Sequence, residues 1–209
     1  MATFEEYMAT PDPWKKAELV RGDVVIRKPG YAAHGMAISA FMGIWLDYSG
    51  ERSSLRDAER TRARRQAERR TVGEILPNLG VRYALPDDPD QVRALSIAAF
   101  TPDQLARLDP YFAAHPNAFA PEPPALTLDN VLPDDTAAYT QQKVLDLLAA
   151  GAQTIWLLYP LIPCVVVWAE GRVARAFGPG ESLPEPPGFA GLAVSIDSLF
   201  AWRHGTESP

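Results

Sequence analysis

Hydrophobic and polar positions recur along the chain with two different spacings, and each change of spacing marks an element. Phe4 to Ala9 predicts a short helix that stops before Pro11. Ala17-Glu18-Leu19-Val20 and Val24-Val25-Ile26 flank the compact turn Arg21-Gly22-Asp23, which predicts a β-hairpin. From Ala32 to Tyr48 the apolar residues Met36, Ala40, Phe41, Ile44, Trp45 and Tyr48 fall at helical spacing, and Gly50 is the stop. Strands are predicted at Val72–Leu76 and Val81–Leu85 and, after the turn Pro86-Asp87-Asp88-Pro89, at Ala94–Phe100. Residues 101–123 read as irregular, with a short helix at Pro102–Leu108. A strand at Ala125–Val131 leads into a helix capped by Asp135 or Thr136 and ending at Gly151. Thr154–Leu158 and Cys164–Ala169 are apolar enough for central strands, Arg172–Phe177 completes a hairpin, and Ser195–Trp202 predicts a short amphipathic helix. A helix between two strands, with hairpins elsewhere, implies an α/β fold: a central mixed β-sheet flanked by helices.

Composition narrows the class. The 209 residues are 47% apolar and 22% charged, suited to a single domain with a buried core. The single cysteine, Cys164, excludes an intrachain disulfide and a cysteine-based zinc site; in its apolar strand it reads as a buried, inert thiol. The acidic start Met1-Ala2-Thr3-Phe4-Glu5-Glu6 lacks the pattern of a signal peptide, and Pro160 and Pro163 interrupt the longest apolar stretch. No membrane association and a cytoplasmic location are the expectations.

The net charge of −6 argues against nucleic-acid binding through the overall field. Residues 51–70, however, carry eight arginines against four acids. Arg52, Arg56 and Arg60 recur at i, i+4 and would form one basic face of a helix suited to phosphate contacts, or else a solvated face laced by pairs such as Arg64–Glu68. No phosphate-binding loop, dinucleotide fingerprint or nucleophile elbow is present. His34, His115 and His204 lie too far apart for metal-ligand spacing, and only His34, opening a helix directly after the hairpin, stands out.

The remaining chemistry is a set of polar residues attached to the predicted sheet: Glu18, Ser96, Asp129 and Lys143. Asp129 is the one carboxylate within Ala125–Val131, so it must be exposed at a strand end, hydrogen-bonded or bound to a cation. Lys143 lies on the following helix, on the same face as Tyr139 and Leu147, and that helix could return its ammonium to the strand of Asp129.

Leu19-Val20-Arg21-Gly22-Asp23 followed by His34-Gly35, then Val92 to Phe100, Pro124 to Pro133, Lys143, and Ile155-Trp156-Leu157-Leu158 together resemble the Uma-two family, which is grouped with restriction endonucleases. The tail from Gly178 to Phe200 fits as well, so the resemblance spans nearly the whole chain except residues 51–70 and 101–120. It implies a restriction-endonuclease-like core of the Pro-Asp...(Asp/Glu)-x-Lys class. In that class two carboxylates on adjacent strands hold Mg²⁺ (or Mn²⁺), and a lysine orients or activates the water that attacks DNA.

Carried onto this chain, the resemblance makes Asp129 and Glu18 the metal ligands and Asp129, Lys143 and Glu18 the catalytic set. Three departures stand out. The first-motif Pro-Asp is Leu95-Ser96, so an expected metal-binding aspartate is a serine; the second-motif glutamate is the shorter Asp129; and Tyr159 stands where an acidic turn residue is usual. A hydroxyl is a poor Mg²⁺ ligand, and only Glu18 or an acid such as Asp90 could replace the lost carboxylate. Relative to that family, residues 51–70 read as an Arg-rich helical insertion within a domain spanning 1–209, and the i, i+4 spacing makes Arg52, Arg56 and Arg60 the candidate substrate-binding residues. The functional expectation is a metal-dependent DNA endonuclease homologue with a degenerate site; the alternative is a non-catalytic module of the same fold that binds nucleic acid or protein. The apolar turn Tyr159-Pro160-Leu161-Ile162-Pro163 adds the expectation of a homodimer.

Overall fold

The computed structural model describes residues 1–11, 17–50, 71–169, 171 and 173–206. The expected Arg-rich helix and Arg52, Arg56 and Arg60 lie outside the described residues. Helix α1 (Phe4–Ala9) begins with a capping box in which Thr3 and Glu6 bond each other's backbone N–H. Strands β1 (Ala17–Val20) and β2 (Asp23–Ile26) form the expected hairpin. Its two turn residues, Arg21 and Gly22, both have positive φ (50° and 76°), the backbone a tight right-twisted hairpin requires. Helix α2 (Ala32–Tyr48) follows, and Gly50 at φ 71° ends it as the sequence predicts.

The next two strands differ from expectation. The two short strands at 72–76 and 81–85 are one strand, β3 (Glu74–Leu85), and β4 (Asp88–Phe100) begins six residues earlier than the apolar pattern indicates. Pro77, Asn78 and Gly80 look like strand breakers, yet among the described strands β3 pairs with β4 alone, its other side meeting just the bridge at Ala120, and a sheet edge tolerates proline. The turn is two residues shorter than Pro86–Pro89 because Leu85 already pairs with Asp88.

Residues 101–123 are also more regular than expected. Helix α3 runs over Pro102–Ala114, started by Thr101 and Pro102 and continuing through Pro110. Strand β5 (Leu126–Asn130) leads to α4 (Ala137–Ala149), capped by Thr136, and then to β6 (Thr154–Tyr159), which pairs parallel to β5. Strands β7 (Cys164–Ala169) and β8 (Val173–Phe177) complete the sheet. The expected helix at 195–202 is instead one α-turn, α5 (Ile196–Leu199), followed by a 3₁₀ segment at Ala201–Thr206. Cys164 is half-buried rather than buried, and partial burial raises its thiol pKa.

The product is a mixed eight-stranded sheet in the order β2-β1-β4-β5-β6-β7-β8, with β3 on the other edge of β4. One face is covered by α2 and α5, where Phe41, Trp45, Ile196 and Leu199 meet Ile97, Leu128 and Trp156. On the other face α3 and α4 contribute Leu105, Leu108, Val144 and Leu147 against Val81, Ile155 and Leu157. A smaller cluster of Tyr7, Ala17, Leu19 and Val92 seats α1 and the hairpin. Among the described residues no helix is long and apolar enough to cross a membrane.

Candidate active site

Strands β1 and β5 meet end to end along one edge of β4, and the site lies in the gap between them. Leu19 of β1 pairs with Val92, and Leu128 of β5 pairs with Ile97, so the intervening part of β4 has no strand partner on that side. Backbone groups left bare in a buried sheet must find other partners. Here side chains supply them: Glu18 Oε1 accepts the Ala94 N–H at 3.1 Å, and Lys143 Nζ donates to the Ala94 carbonyl at 2.6 Å.

Those two side chains join the third expected residue. Lys143 Nζ donates to Glu18 Oε1 at 2.9 Å and to Asp129 Oδ2 at 2.6 Å, which with Ala94 uses all three ammonium protons. Glu18 is fully buried, and Asp129 and Lys143 are each 3% exposed. The structure thus brings Glu18, Asp129 and Lys143 into hydrogen-bonding contact. The crossover from β5 through α4 to β6 lays α4 back over the sheet, and Lys143, on its inward face with Val144 and Leu147, returns to the strand it left. Ser96, at the first-motif position, donates its hydroxyl to Asp129 Oδ1 at 2.7 Å. Asp90 is elsewhere, paired with Arg82 on the exposed side. Tyr159 is half-buried, and burial raises its phenol pKa.

Several participants escaped the sequence reading. Arg93 Nη1 donates to Glu18 Oε2 at 3.0 Å, and its Nη2 reaches Asp146 at 2.6 Å. Asp146 also takes Gln142 and, from the hairpin turn, Arg21. Arg27, just past β2, spans Asp129 at 3.3 Å and Asp135 at 2.7 Å. Tyr139 donates its hydroxyl to Glu18 Oε2 at 2.5 Å. Arg93 and Asp146 did carry a weak signal: Asp146 lies one turn after Lys143, and Arg93 opens the apolar run of β4.

Opposite charges decide the ionisation of this cluster. Burial by itself would raise the Asp129 pKa, but the adjacent Lys143 and Arg27 charges, with hydrogen bonds from Lys143 and Ser96, bring it down to about 2. Glu18 is likewise held below its usual value: desolvation opposes ionisation, and the charges of Lys143, Arg93 and Arg27 outweigh it. Asp146 is lowered against its own desolvation, chiefly by its hydrogen bond from Arg93. Burial and the Glu18 charge raise Tyr139, so it stays a neutral donor. His34, buried at the start of α2, accepts the Tyr31 N–H on Nδ1, which leaves Nε2 to donate to the Val131 carbonyl at 3.2 Å. It fastens α2 to the end of β5 and stands outside the charge cluster.

Beside Ser96, Asp129 and Arg27 opens a cavity of about 460 Å³. No family model matches the chain, and no curated protein matches it significantly. Among solved structures, the chain is similar to one from Anabaena variabilis described as a "putative nuclease belonging to DUF820". The TM-score is 0.73 at 17% sequence identity, over 97% of this chain and 99% of that one. This α/β fold, a mixed eight-stranded sheet flanked by helices, is the fold of that nuclease-named protein.

Proposed function

We propose that this chain is a homologue of metal-dependent DNA endonucleases whose degenerate active site no longer hydrolyses phosphodiester bonds. The observation that carries the reading is the place of Lys143, whose ammonium bridges the two carboxylates meant for a metal, at 2.9 Å from Glu18 and 2.6 Å from Asp129. A carboxylate has about four lone-pair sites. Glu18 receives four donors, from Ala94, Arg93, Tyr139 and Lys143, and Asp129 receives three, from Ser96, Lys143 and Arg27. Mg²⁺ needs near-octahedral oxygen ligation, and these donors leave it little more than one free carboxylate lone pair. Among the described residues no group of three or more acids, histidines or cysteines has the geometry for a metal ion. The residues present therefore do not fit Mg²⁺ or Mn²⁺ in this arrangement, and the ammonium supplies the positive charge that the metal would bring.

Two further points support the lineage. The fold matches that of a protein named as a nuclease. The residues that the family resemblance nominates, scattered over 126 positions from Glu18 to Lys143, meet in one cluster beside a cavity. That cavity favours retained binding, with DNA as the partner class, and the turn bearing Leu161 and Ile162, 55% and 64% exposed, is the surface for a homodimer.

The test is plasmid cleavage by purified protein with Mg²⁺ or Mn²⁺, beside Asp129→Ala and Ser96→Asp. The expected result is no cleavage by the wild type and cleavage by Ser96→Asp. Cleavage by the wild type that disappears in Asp129→Ala would overturn the reading and establish a working nuclease.

A further inference from the structure

The cavity beside Ser96 has features that the charge cluster does not use. One wall is the ring of Phe119, which lies against Gly80 so closely that a Cβ there would stand 2.3 Å from the ring. The Phe119 segment is held to β3 on both sides, by Ala120 N–H to the Gly80 carbonyl at 2.9 Å and Arg82 N–H to the Ala120 carbonyl at 2.8 Å. Tyr7 lies 6.1 Å from it, ring centre to ring centre, and Val92 and Leu95 add apolar surface.

Asn78 is the polar feature. It lies between the paired positions Pro77–Ile97 and Leu79–Leu95, opposite Ser96, in the left-handed backbone region at φ 53°. Asparagine tolerates that region better than most residues, but it is uncommon inside a strand and such strain concentrates at functional sites. Asn78 is exposed and among the residues lining the cavity, and its side chain has no hydrogen-bond partner among the described residues. The floor is electrically balanced, because the Asp129 charge is met by Lys143 and Arg27.

We propose that this cavity takes a single unstacked nucleobase, adenine by preference, between the aromatic wall and the Asn78 carboxamide. A fixed aromatic ring offers a stacking platform to any base. A free carboxamide presents one donor and one acceptor side by side, the pattern that matches the adenine N6 and N7 edge. A balanced floor suits a neutral ring better than a phosphate, and a base inside a duplex cannot enter. The proposal rests on the reading of the chain as a nuclease-fold protein that keeps binding without hydrolysis. The same base chemistry could arrive as a free nucleoside or within single-stranded nucleic acid.

Calorimetric titration of the full chain with adenosine, thymidine, an eight-nucleotide oligo-dA and the corresponding dA·dT duplex tests it, with Asn78→Gly and Phe119→Ala alongside. Adenosine or oligo-dA binds the wild type more tightly than thymidine or duplex; oligo-dA alone would identify nucleic acid as the source, adenosine alone the nucleoside. Asn78→Gly keeps the backbone conformation, so it melts no lower than wild type yet weakens adenine binding about tenfold. Phe119→Ala weakens every base. Absence of heat with both adenine ligands, or unchanged binding in Asn78→Gly, overturns the proposal. Plasmid cleavage by the wild type would overturn the hydrolysis reading alone and leave this titration readable.

Discussion

Ser96 donates its hydroxyl to Asp129 at 2.7 Å, and this single bond joins the two strand positions where the family resemblance expects two metal-binding acids. The hydroxyl satisfies one carboxylate oxygen without adding charge. Lys143 and Arg27 then suffice to balance Asp129, and no further cation is needed.

Replacing Ser96 by Asp reverses that balance. Two carboxylates then face each other, and like charges at this distance oppose joint ionisation. In EDTA, Ser96→Asp melts several degrees below wild type. Millimolar Mg²⁺ restores much of the loss and leaves the wild-type melting temperature unmoved. Thermal melts with and without Mg²⁺ check this, and equal responses of the two proteins would refute it.

Lys143→Met leaves Glu18 and Asp129 buried with fewer counter-charges. Breaking a buried pair by removing one partner costs about 3–5 kcal/mol. Without the ammonium, burial shifts both carboxyl pKa values upward relative to wild type, and the sign of the pH effect follows: the deficit against wild type is largest at neutral pH and shrinks as the variant's carboxyls protonate. Urea unfolding at pH 7 and pH 5 measures the expected narrowing of the gap between variant and wild type.

Asp129 has a folded-state pKa of about 2 against an ordinary value of 3.8. A lowered folded pKa gives stability that is present above the unfolded value and is lost as pH falls through the folded one. The window is therefore between about pH 4 and pH 2, and the contribution is on the order of 2 kcal/mol. Asp129→Asn removes this part of the acid-unfolding curve. An unchanged curve between pH 4 and pH 2 would contradict the assignment.

Tyr139→Phe removes the 2.5 Å bond to Glu18 but leaves that carboxylate its bonds from Arg93, Ala94 and Lys143. Hydrogen bonds to charged groups contribute about 1.5–3 kcal/mol, so the loss falls in that range and below that of Lys143→Met. Urea midpoints for the two variants give the comparison.

Much of the frame was legible from periodicity. The hairpin, α2 and α4 follow from local spacing, turn residues and caps, and Asp129 and Lys143 stand out because a charge inside an apolar run needs a partner. Strand β3 was less legible, because Pro77, Asn78 and Gly80 carry the local signal for a break while pairing with β4 overrides it. The counter-ions were the least legible. Arg93 meets Glu18 across 75 positions and Arg27 meets Asp129 across 102, contacts set by strand order, which local pattern does not encode. Glu18 and Lys143 themselves are drawn to the bare Ala94 backbone, a gap visible only once β1 and β5 take their places along β4.

That gap also has to be closed against other chains. The hairpin touches the sheet through one register pair, Leu19–Val92, and otherwise through charges and the small cluster around Tyr7. Strands β3 to β8 are joined by connections short in sequence, whereas the hairpin's links to Lys143 and Asp146 close loops of 125 residues, which form slowly. An edge of β4 left bare could recruit a strand from another chain, and the docked hairpin covers it. The ion cluster, fastening Glu18 to Lys143 and Arg21 to Asp146, is thus the latch that keeps this edge closed.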